Sequence, residues 1–500
     1  MDNIVEITES STSRMVRTES DEDLSTSESD LQHALEVVFD AGSSRRRKSS
    51  MVTRDSKRPS SRRQHTSCFV HSLLQERQEA GTYTPSNDIA QDRKSDKENG
   101  HQNHVDGHTR SRLLTKKQLS DMAFGIRELS KRLGHIRLKL NIRNVFLLTK
   151  AHDEMLIAYT REVTQWLLSE DRDTSYTVWV ENTLERNETF DADGITASNP
   201  SSDGRLKFWT NELCAKHPQI WDVVVALGGD GTVLYASWLF QRIVPPVLSF
   251  ALGSLGFLTK FDYDGFPNTL TRAFKDGITV SLRLRFEATV MRSQHRGPDK
   301  SRDLVEELIG QESDDAHTHK PERSHDILND LVLDRGPNPT MSSIEVFGDD
   351  EHFTTVQADG ICVATPTGST AYNLAAGGSL CHPDNPVILV TAICAHTLSF
   401  RPIILPDTIV LRIGVPYDAR TSSWASFDGR ERVELNPGDY VTISASRYPF
   451  PSVLPLDRRS EDWIDSISRT LNWNSRQRQK AFDSKKEDGE SKQPSTQSDL

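Results

Sequence analysis

The stretch that decides the fold is residues 223–234, which read VVVALGGDGTVL. Its first five residues are apolar and mostly β-branched, which predicts a buried strand of a parallel sheet covered on both faces. Three glycines within the next four positions remove nearly every Cβ from the turn that follows. The backbone N–H groups of such a turn can approach a phosphate closely, and the helix that Thr232 can open favours an anion at its N-terminus.

Asp230 is the only charged residue of this turn. A carboxylate would repel a bare polyphosphate, so we expect it to act through Mg²⁺ or to accept a proton from a hydroxyl that attacks the phosphate. The alternative is a tight strand-to-helix turn in which Asp230 is the N-cap of the helix. The rest of the chain has to decide between these two interpretations.

Composition narrows the class of protein. The 500 residues are only 35% hydrophobic, which predicts that part of the chain is disordered, and the net charge of -12 argues against a nucleic-acid-binding protein. Five cysteines without a C-x-x-C spacing suggest free thiols in a reducing compartment. No run of about 18 apolar residues occurs, so we expect no membrane span and a soluble cytoplasmic protein.

Shifts in composition and in hydrophobic period divide the chain into four parts. Residues 1–110 and 456–500 are polar and charged, which predicts a disordered Ser/Arg-rich tail and a polar C-terminal tail. Residues 111–277 alternate helical and strand patterns, which predicts a doubly wound α/β domain with a parallel sheet. Residues 278–455 show repeated alternation of polar and apolar residues, typical of a mostly antiparallel β domain.

Several local predictions follow from the same patterns. We expect a loop over residues 181–203, a helix over residues 208–217, and a charged surface loop at about 294–324 within the β domain. His317, His319 and His325 lie in that last segment and are expected to be exposed rather than to bind a metal ion.

Two further motifs break the β pattern. Adjacent Asn329 and Asp330 offer donors and acceptors suited to ribose hydroxyls or a nucleobase edge, although such a pair alone is more often a turn. Residues 359–378 read DGICVATPTGSTAYNLAAGG, in which hydroxyls, exposed N–H groups and a helix N-terminus converge beside the ring of Tyr372. A structural turn is the alternative here as well. The chain contains no P-loop, no G-x-G-x-x-G on a first strand and no G-x-S-x-G.

Taken together, these motifs resemble the signature of the NAD kinases, most closely the fungal ATP-NAD kinases. The resemblance rests on Gly228–Thr232, Asn329-Asp330 and residues 359–378, and Leu252–Phe257 and Ala395–Pro402 fit the same pattern. It covers roughly residues 114–453. The Gly-Gly-Asp-Gly-Thr motif alone is shared with diacylglycerol and sphingosine kinases, whereas the two later motifs are far more specific.

The resemblance implies an N-terminal α/β domain, a C-terminal β domain, and transfer of the ATP γ-phosphate to the 2′-hydroxyl of the adenosine ribose of NAD. It also implies Mg²⁺ bound with ATP, no fixed protein ligands for a metal, and a homo-oligomer. Asp230 would be the catalytic base, and the glycine turn would hold the phosphates through Gly228, Gly229, Gly231 and Thr232. The NAD contacts would be Asp230, Gly231, Phe257, Asn329, Asp330, Asp359, Thr370, Ala371 and Tyr372.

One residue departs from the family pattern, which usually has Asn-Glu where this chain has Asn329-Asp330. The carboxylate is kept but lies one methylene closer to the backbone. Two other functions fit the glycine motif: a lipid kinase, which needs a hydrophobic acceptor pocket, and a nucleotide sensor that binds NAD without phosphate transfer. The Thr370–Tyr372 region argues against the first, and the presence of Asp230 disfavours the second.

Overall fold

The computed structural model describes residues 37–38, 50–51, 110–294, 302–309, 317–455 and 461–472. The chain forms two compact units, Met1–His65 and Thr66–Leu500. In the first unit, strands β1 (Val37–Val38) and β2 (Ser50–Met51) pair antiparallel. The rest of the predicted N-terminal tail up to residue 109 lies outside the described residues.

The first described elements of the second unit are a 3₁₀ helix, Ser111–Leu113, and a long amphipathic helix whose N-cap is Thr115 in a capping box with Gln118. Strands and helices then alternate, which is the sequence pattern of a parallel sheet. The elements are α1 (Lys116–Leu133), β3 (Asn144–Leu148), α2 (Glu154–Leu168), β4 (Thr177–Glu181), α3 (Ala192–Ser198), β5 (Leu206–Trp209), α4 (Asn211–Lys216), β6 (Val223–Gly228), α5 (Asp230–Leu239), β7 (Val247–Ala251), β8 (Phe261–Asp262), α6 (Phe266–Lys275) and β9 (Thr279–Arg283).

The order of the parallel strands is β5-β4-β3-β6-β7, so the direction of winding reverses between β3 and β6. This is a doubly wound sheet, and the predicted α/β fold is confirmed. All six residues of β6 are buried, as its apolar run predicts. Ligands of open α/β sheets bind beyond the carboxyl ends of the strands at such a reversal, and β6 ends there in the glycine turn.

One local prediction for this region was wrong, and another is confirmed over only part of its length. The expected loop at 181–203 contains α3 and two 3₁₀ helices, Asn182–Leu184 and Pro200–Ser202. The expected helix at 208–217 is confirmed over Asn211–Lys216, whereas residues 208–209 end strand β5. Trp209 lies buried in the sheet and donates its indole N–H to the Leu147 carbonyl at 3.1 Å. The side chain of Thr210 then accepts from the Leu213 amide and starts α4 one residue later.

The strands between Phe286 and Ala445 form two six-stranded sheets in which every pairing is antiparallel, as predicted. A continuous core of aliphatic and aromatic side chains, including Phe286, Leu331 and Phe427, packs together from strands of both sheets. The elements are β10 (Phe286–Ser293), α7 (Leu304–Leu308), β11 (His319–Ile327), β12 (Asp330–Asp334), β13 (Ser342–Gly348), β14 (Glu351–Ala358), β15 (Gly360–Ala364), α8 (Tyr372–Ala375), β16 (Val387–Ile393), β17 (Ile403–Pro406), β18 (Leu411–Gly414), β19 (Ser423–Phe427), β20 (Glu431–Leu435), β21 (Tyr440–Ala445), β22 (Phe450–Leu454) and α9 (Glu461–Leu471).

The segment at 294–324, predicted as a surface loop, is partly regular structure. His319 begins strand β11, which pairs along β10, and α7 packs on Met291, Phe347 and Tyr440. His319 and His325 are therefore buried, at 1% and 3% exposure, because the strand turns them inward; the prediction that they are exposed was wrong, whereas His317 is exposed.

The end of the chain returns to the first sheet. Strand β22 lies between β7, to which it is parallel, and β9, to which it is antiparallel. Helix α9 follows within the predicted polar tail and buries Ile467, while residues after 472 lie outside the described part. None of the helices in the described ranges combines the length and the apolar character that crossing a bilayer requires.

Candidate active site

The glycine turn places bare backbone at the start of helix α5. Gly228 has φ of +148°, which favours glycine, and a Cβ there would overlap the Thr232 hydroxyl. Gly229 and Gly231 are exposed, and a Cβ on either would meet no atom within 4 Å. The open space beside the first amides of α5 is what an anion needs at a helix N-terminus.

The helix starts earlier than its sequence suggests. Gly229 is the N-cap and Asp230 the first helical residue, so Asp230 does not cap the helix as the tight-turn alternative requires. Thr232 lies within the first turn rather than before it. Its hydroxyl oxygen is buried and has no hydrogen-bond partner in the described structure.

The Asp230 carboxylate organises the neighbouring loop. It accepts hydrogen bonds from the backbone amides of Phe257 at 2.9 Å, Leu258 at 2.9 Å and Thr259 at 3.2 Å. Gly256 is pressed against the same carboxylate, so a Cβ there would overlap it. Two of the three amides bind Oδ1 and one binds Oδ2, which leaves an acceptor position on Oδ2. The side chain is half-buried, so this position remains reachable.

A second group of residues surrounds the start of β12. The amides of Leu328, Asn329 and Asp330 donate to the carboxylate of Asp428 at 2.8, 2.7 and 3.2 Å. Asp428 is 8% exposed and has φ of +48°. The Asn329 side-chain oxygen is buried and has no partner among the described residues. It is therefore an acceptor that a ligand donor could satisfy.

Burial shapes the electrostatics of this group. The pKa of Asp330 rises to about 7, first because the carboxyl is buried and second because of the nearby charge of Asp428, while a hydrogen bond from the Tyr372 backbone opposes the rise. Burial also raises the pKa of Asp428, against the hydrogen bonds from its three amide partners. The two buried carboxyl groups thus lie close enough for the charge of Asp428 to raise the pKa of Asp330.

The Thr-Pro-Thr-Gly-Ser-Thr loop docks on Asn329. The Thr365 amide donates to the Asn329 carbonyl at 2.8 Å, and the Thr365 hydroxyl donates to the Leu328 carbonyl at 2.5 Å. Gly368 is so near the Asn329 carbonyl that a Cβ would overlap it. The loop continues as a 3₁₀ helix, Thr367–Thr370, and leads through Ala371 into α8. The ring of Tyr372 is left 45% exposed beside this group.

Asp359 lies elsewhere along the same pair of strands. Strand β12 pairs with β15 so that Asp330 faces Ala364 and Asp334 faces Gly360. Asp359 precedes Gly360 and is therefore at the opposite end of the pair from Asp330, about 16 Å along the strand. Its carboxylate pairs with Arg335 at 3.0 Å and is 40% exposed. The structure groups Asn329, Asp330 and the Thr370–Tyr372 segment, but it does not bring Asp359 to them.

Two arginines that the sequence did not single out connect helix α5 to the β sheets. Arg430, two residues after Asp428, donates to the Gly231 carbonyl at 3.0 Å. Its guanidinium lies 4.4 Å from the centroid of the Tyr235 ring. Arg285 is fully buried and donates to the carbonyls of Phe240, Arg242 and Tyr448. These contacts hold the glycine turn beside the hairpin of β19 and β20, whose turn contains Asp428.

Comparison with known proteins matches both halves of the chain. The family model for the ATP-NAD kinase N-terminal domain matches residues 145–278, and that for the ATP-NAD kinase C-terminal domain matches residues 328–454. An uncharacterized kinase of Schizosaccharomyces pombe is 43% identical over 369 residues, which are 73% of this chain and 89% of the relative. The chain belongs to the NAD kinase family.

Two further comparisons agree. The NAD(+) kinase of Saccharomyces cerevisiae is 43% identical over 370 residues, 73% of this chain and 66% of that protein. The crystal structure of a yeast NADH kinase complexed with NADH superimposes with a TM-score of 0.53 and 28% identity, covering 67% of this chain and 89% of the other. The family matches leave residues 279–327 and helix α9 unassigned, so Arg285 lies outside both.

Proposed function

We propose that this chain is an ATP-dependent NAD kinase, which transfers the γ-phosphate of ATP to the 2′-hydroxyl of the adenosine ribose of NAD to make NADP. One observation carries the proposal: the open helix N-terminus at Gly229–Gly231 lies beside the hairpin that holds Asn329 and Asp330, through the contact of Arg430 with Gly231. A phosphate donor and a ribose acceptor would meet where these two elements adjoin.

In this proposal Asp230 is the base. Its three amide hydrogen bonds fix the carboxylate in one orientation, and the remaining acceptor position on Oδ2 takes the proton of the 2′-hydroxyl as the new P–O bond forms. The fixed position contributes more than basicity, since phosphoryl transfer depends mainly on alignment and charge stabilisation. The phosphates lie on the backbone of Gly228, Gly229 and Gly231 and near the Thr232 hydroxyl.

The dinucleotide lies across the second group. The unpartnered Asn329 oxygen and the Asp330 carboxyl accept from ribose hydroxyls, and the exposed Tyr372 ring offers a stacking surface beside Thr370 and Ala371. Phe257 lines the adenine pocket, next to Asp230. Asp359 contacts the nicotinamide end, because its separation along the strand suits the far end of an extended ligand.

Mg²⁺ bound with ATP would neutralise part of the charge of the phosphates. Among the described residues there is no group of three or more His, Cys, Asp or Glu side chains that could hold a metal ion. We further propose a homo-oligomeric state, which the NAD kinase resemblance implies, and a cytoplasmic location, which we expect from the sequence alone.

The test is a coupled NADPH assay of the purified full chain with ATP and Mg²⁺, run in parallel with NAD and NADH as acceptors. We expect NADP from NAD. Asp230→Asn should lower kcat by at least about 100-fold, the usual contribution of a general base. Asp171→Asn, at an exposed carboxylate remote from the turn, is the matched control.

Three outcomes would count against the proposal. Absence of NADP under these conditions would reject the kinase activity. Tight NAD binding without transfer would identify a nucleotide sensor instead. Near wild-type turnover of the Asp230→Asn variant would leave the activity intact but remove the assigned base.

A further inference from the structure

The side chain of Arg430 reaches from the β sheets to the glycine turn. It follows the Asp428-Gly429 turn between β19 and β20, and its Nη2 donates to the Gly231 carbonyl at 3.0 Å. The guanidinium lies over the Tyr235 ring, 4.4 Å from its centroid. Gly231 and Tyr235 are both on α5, so the arginine spans the first turn of the helix that opens the phosphate site.

The charge environment of Arg430 differs from that of its neighbours. Arg432 pairs with Asp334 at 2.7 Å, and Arg323 pairs with Glu431 at 2.6 Å. Arg335 pairs with Asp359 at 3.0 Å. In the described ranges no carboxylate lies within ion-pair distance of Arg430, whose contacts are a carbonyl and an aromatic ring. A guanidinium keeps its charge in proteins. The direct contacts of this one are neutral groups, and the buried carboxylate of Asp428, two residues earlier, acts on it from beyond ion-pair distance.

The position of this charge points to an anion. The amides of α5 begin at the exposed Gly229 and Gly231, where the backbone is open to a ligand, and Arg430 already contacts the carbonyl of one of these residues. Arginine presents five N–H donors in a planar fork that matches phosphate oxygens, and one donor is used by Gly231. That leaves up to four donors of Arg430 for an anion beside the glycine turn.

We propose that Arg430 binds the polyphosphate of the nucleotide donor. The phosphates would then lie between the first backbone amides of helix α5 and the guanidinium of Arg430, which comes from the β sheets. This inference rests on the proposed kinase function. The pyrophosphate of NAD has the same chemistry, and separate measurements with donor and acceptor distinguish the two sources. Arg430 contributes charge to the transferred phosphoryl group in the way that arginines do in other phosphotransferases.

Binding is tested without any reaction. Isothermal titration of the full chain with inorganic tripolyphosphate and Mg²⁺, and separately with NAD, compares wild type with Arg430→Gln. We expect tripolyphosphate binding to weaken at least 10-fold in the variant while the NAD affinity changes less than twofold. Arg430→Lys, which keeps a charge but loses the fork, should fall between. Arg323→Gln removes a positive charge from the neighbouring strand and should match wild type.

Kinetics give the second test. In Arg430→Gln we expect kcat/KM for ATP to fall about 100-fold or more, with KM for NAD within twofold, and partial rescue by added guanidinium ion. A variant that loses NAD affinity but keeps tripolyphosphate affinity would overturn the assignment in favour of the dinucleotide. Unchanged tripolyphosphate binding and unchanged kinetics would reduce Arg430 to a packing role. If the wild-type protein makes no NADP, the proposed kinase function is rejected. The tripolyphosphate titration would still show whether Arg430 binds polyphosphate.

Discussion

The backbone amide of Asn329 donates a 2.7 Å hydrogen bond to the carboxylate of Asp428, a residue that follows it by 99 positions. The same carboxylate binds the amides on either side, so a single buried side chain holds the first residues of β12 in place. The two residues proposed to read the ribose therefore depend on a third that does not have to touch the ligand.

Asp428→Asn should weaken both the fold and the acceptor site. Asparagine has one acceptor oxygen, so at least one of the three amides would face an NH₂ group and lose its partner. We expect a loss of about 1–3 kcal/mol in the free energy of unfolding and a raised KM for NAD. Urea denaturation followed by tryptophan fluorescence and the coupled assay measure the two effects. Asp418→Asn, at an exposed carboxylate, is the control, and equal behaviour of both variants would contradict the prediction.

The pH dependence of Asp330 has a defined sign. Its pKa is about 7 in the folded protein, against about 3.9 for a free aspartate, so the folded state binds the proton more tightly. The stability that this group contributes is fully present below about pH 4 and is lost as the pH rises through 7. Asp330→Asn cannot titrate, so its melting temperature relative to wild type should rise between pH 5 and pH 8. A constant difference would show that Asp330 has an ordinary pKa.

Two glycines of the same turn should respond in opposite ways. Gly228→Ala forces a Cβ into a positive-φ position against Thr232 and should cost about 1–3 kcal/mol of stability. Gly231→Ala lies in the first helical turn with open space around it and should keep or slightly raise stability. Its activity should nevertheless fall, because the new methyl group covers backbone that the phosphates need. Full activity of stable Gly231→Ala would argue against phosphate binding at this residue.

Arg285→Lys tests how helix α5 is anchored. The arginine donates to carbonyls at the end of α5 and to Tyr448, and one ammonium cannot reach all of them. We expect a loss of at least about 2 kcal/mol, since buried carbonyls are left unpaired. Urea denaturation measures it, and Arg323→Lys on the surface serves for comparison. A loss below about 0.5 kcal/mol would mean that water replaces the guanidinium.

Much of the fold follows from the sequence because its signals are local. The apolar run of β6, the alternation in the β strands and the capping residues each act over a few positions, and both predicted sheet types are present. The wrong predictions concern segments whose secondary structure depends on a partner far away in the sequence. The 319–324 segment is polar enough to resemble a loop, yet pairing with β10 makes it a strand.

The residues of the candidate site also fall into those that local sequence motifs predict and those that they do not. Glycines and short motifs marked Asp230, Asn329, Asp330 and the Thr365–Tyr372 loop, because phosphate and ribose contacts need those residue types at close spacing. Asp428 and Arg430 were missed, although an Asp-Gly pair between two strands is a hairpin signal that could have drawn attention to them. Arg285 gives no local signal, since its partners lie more than 40 positions away.

Strand β22 has a consequence for biosynthesis. It fills the gap between β7 and β9, although about 165 residues of antiparallel sheet are made between β9 and β22. Until Phe450–Leu454 leaves the ribosome, β9 and the Val247 end of β7 therefore lack their partner in the α/β sheet, although β8 already pairs with the other end of β7. Another chain could add to these open strand edges during that time. A nonsense mutation between residues 284 and 449 would therefore leave the α/β sheet without β22, even though every other strand of that sheet has been made.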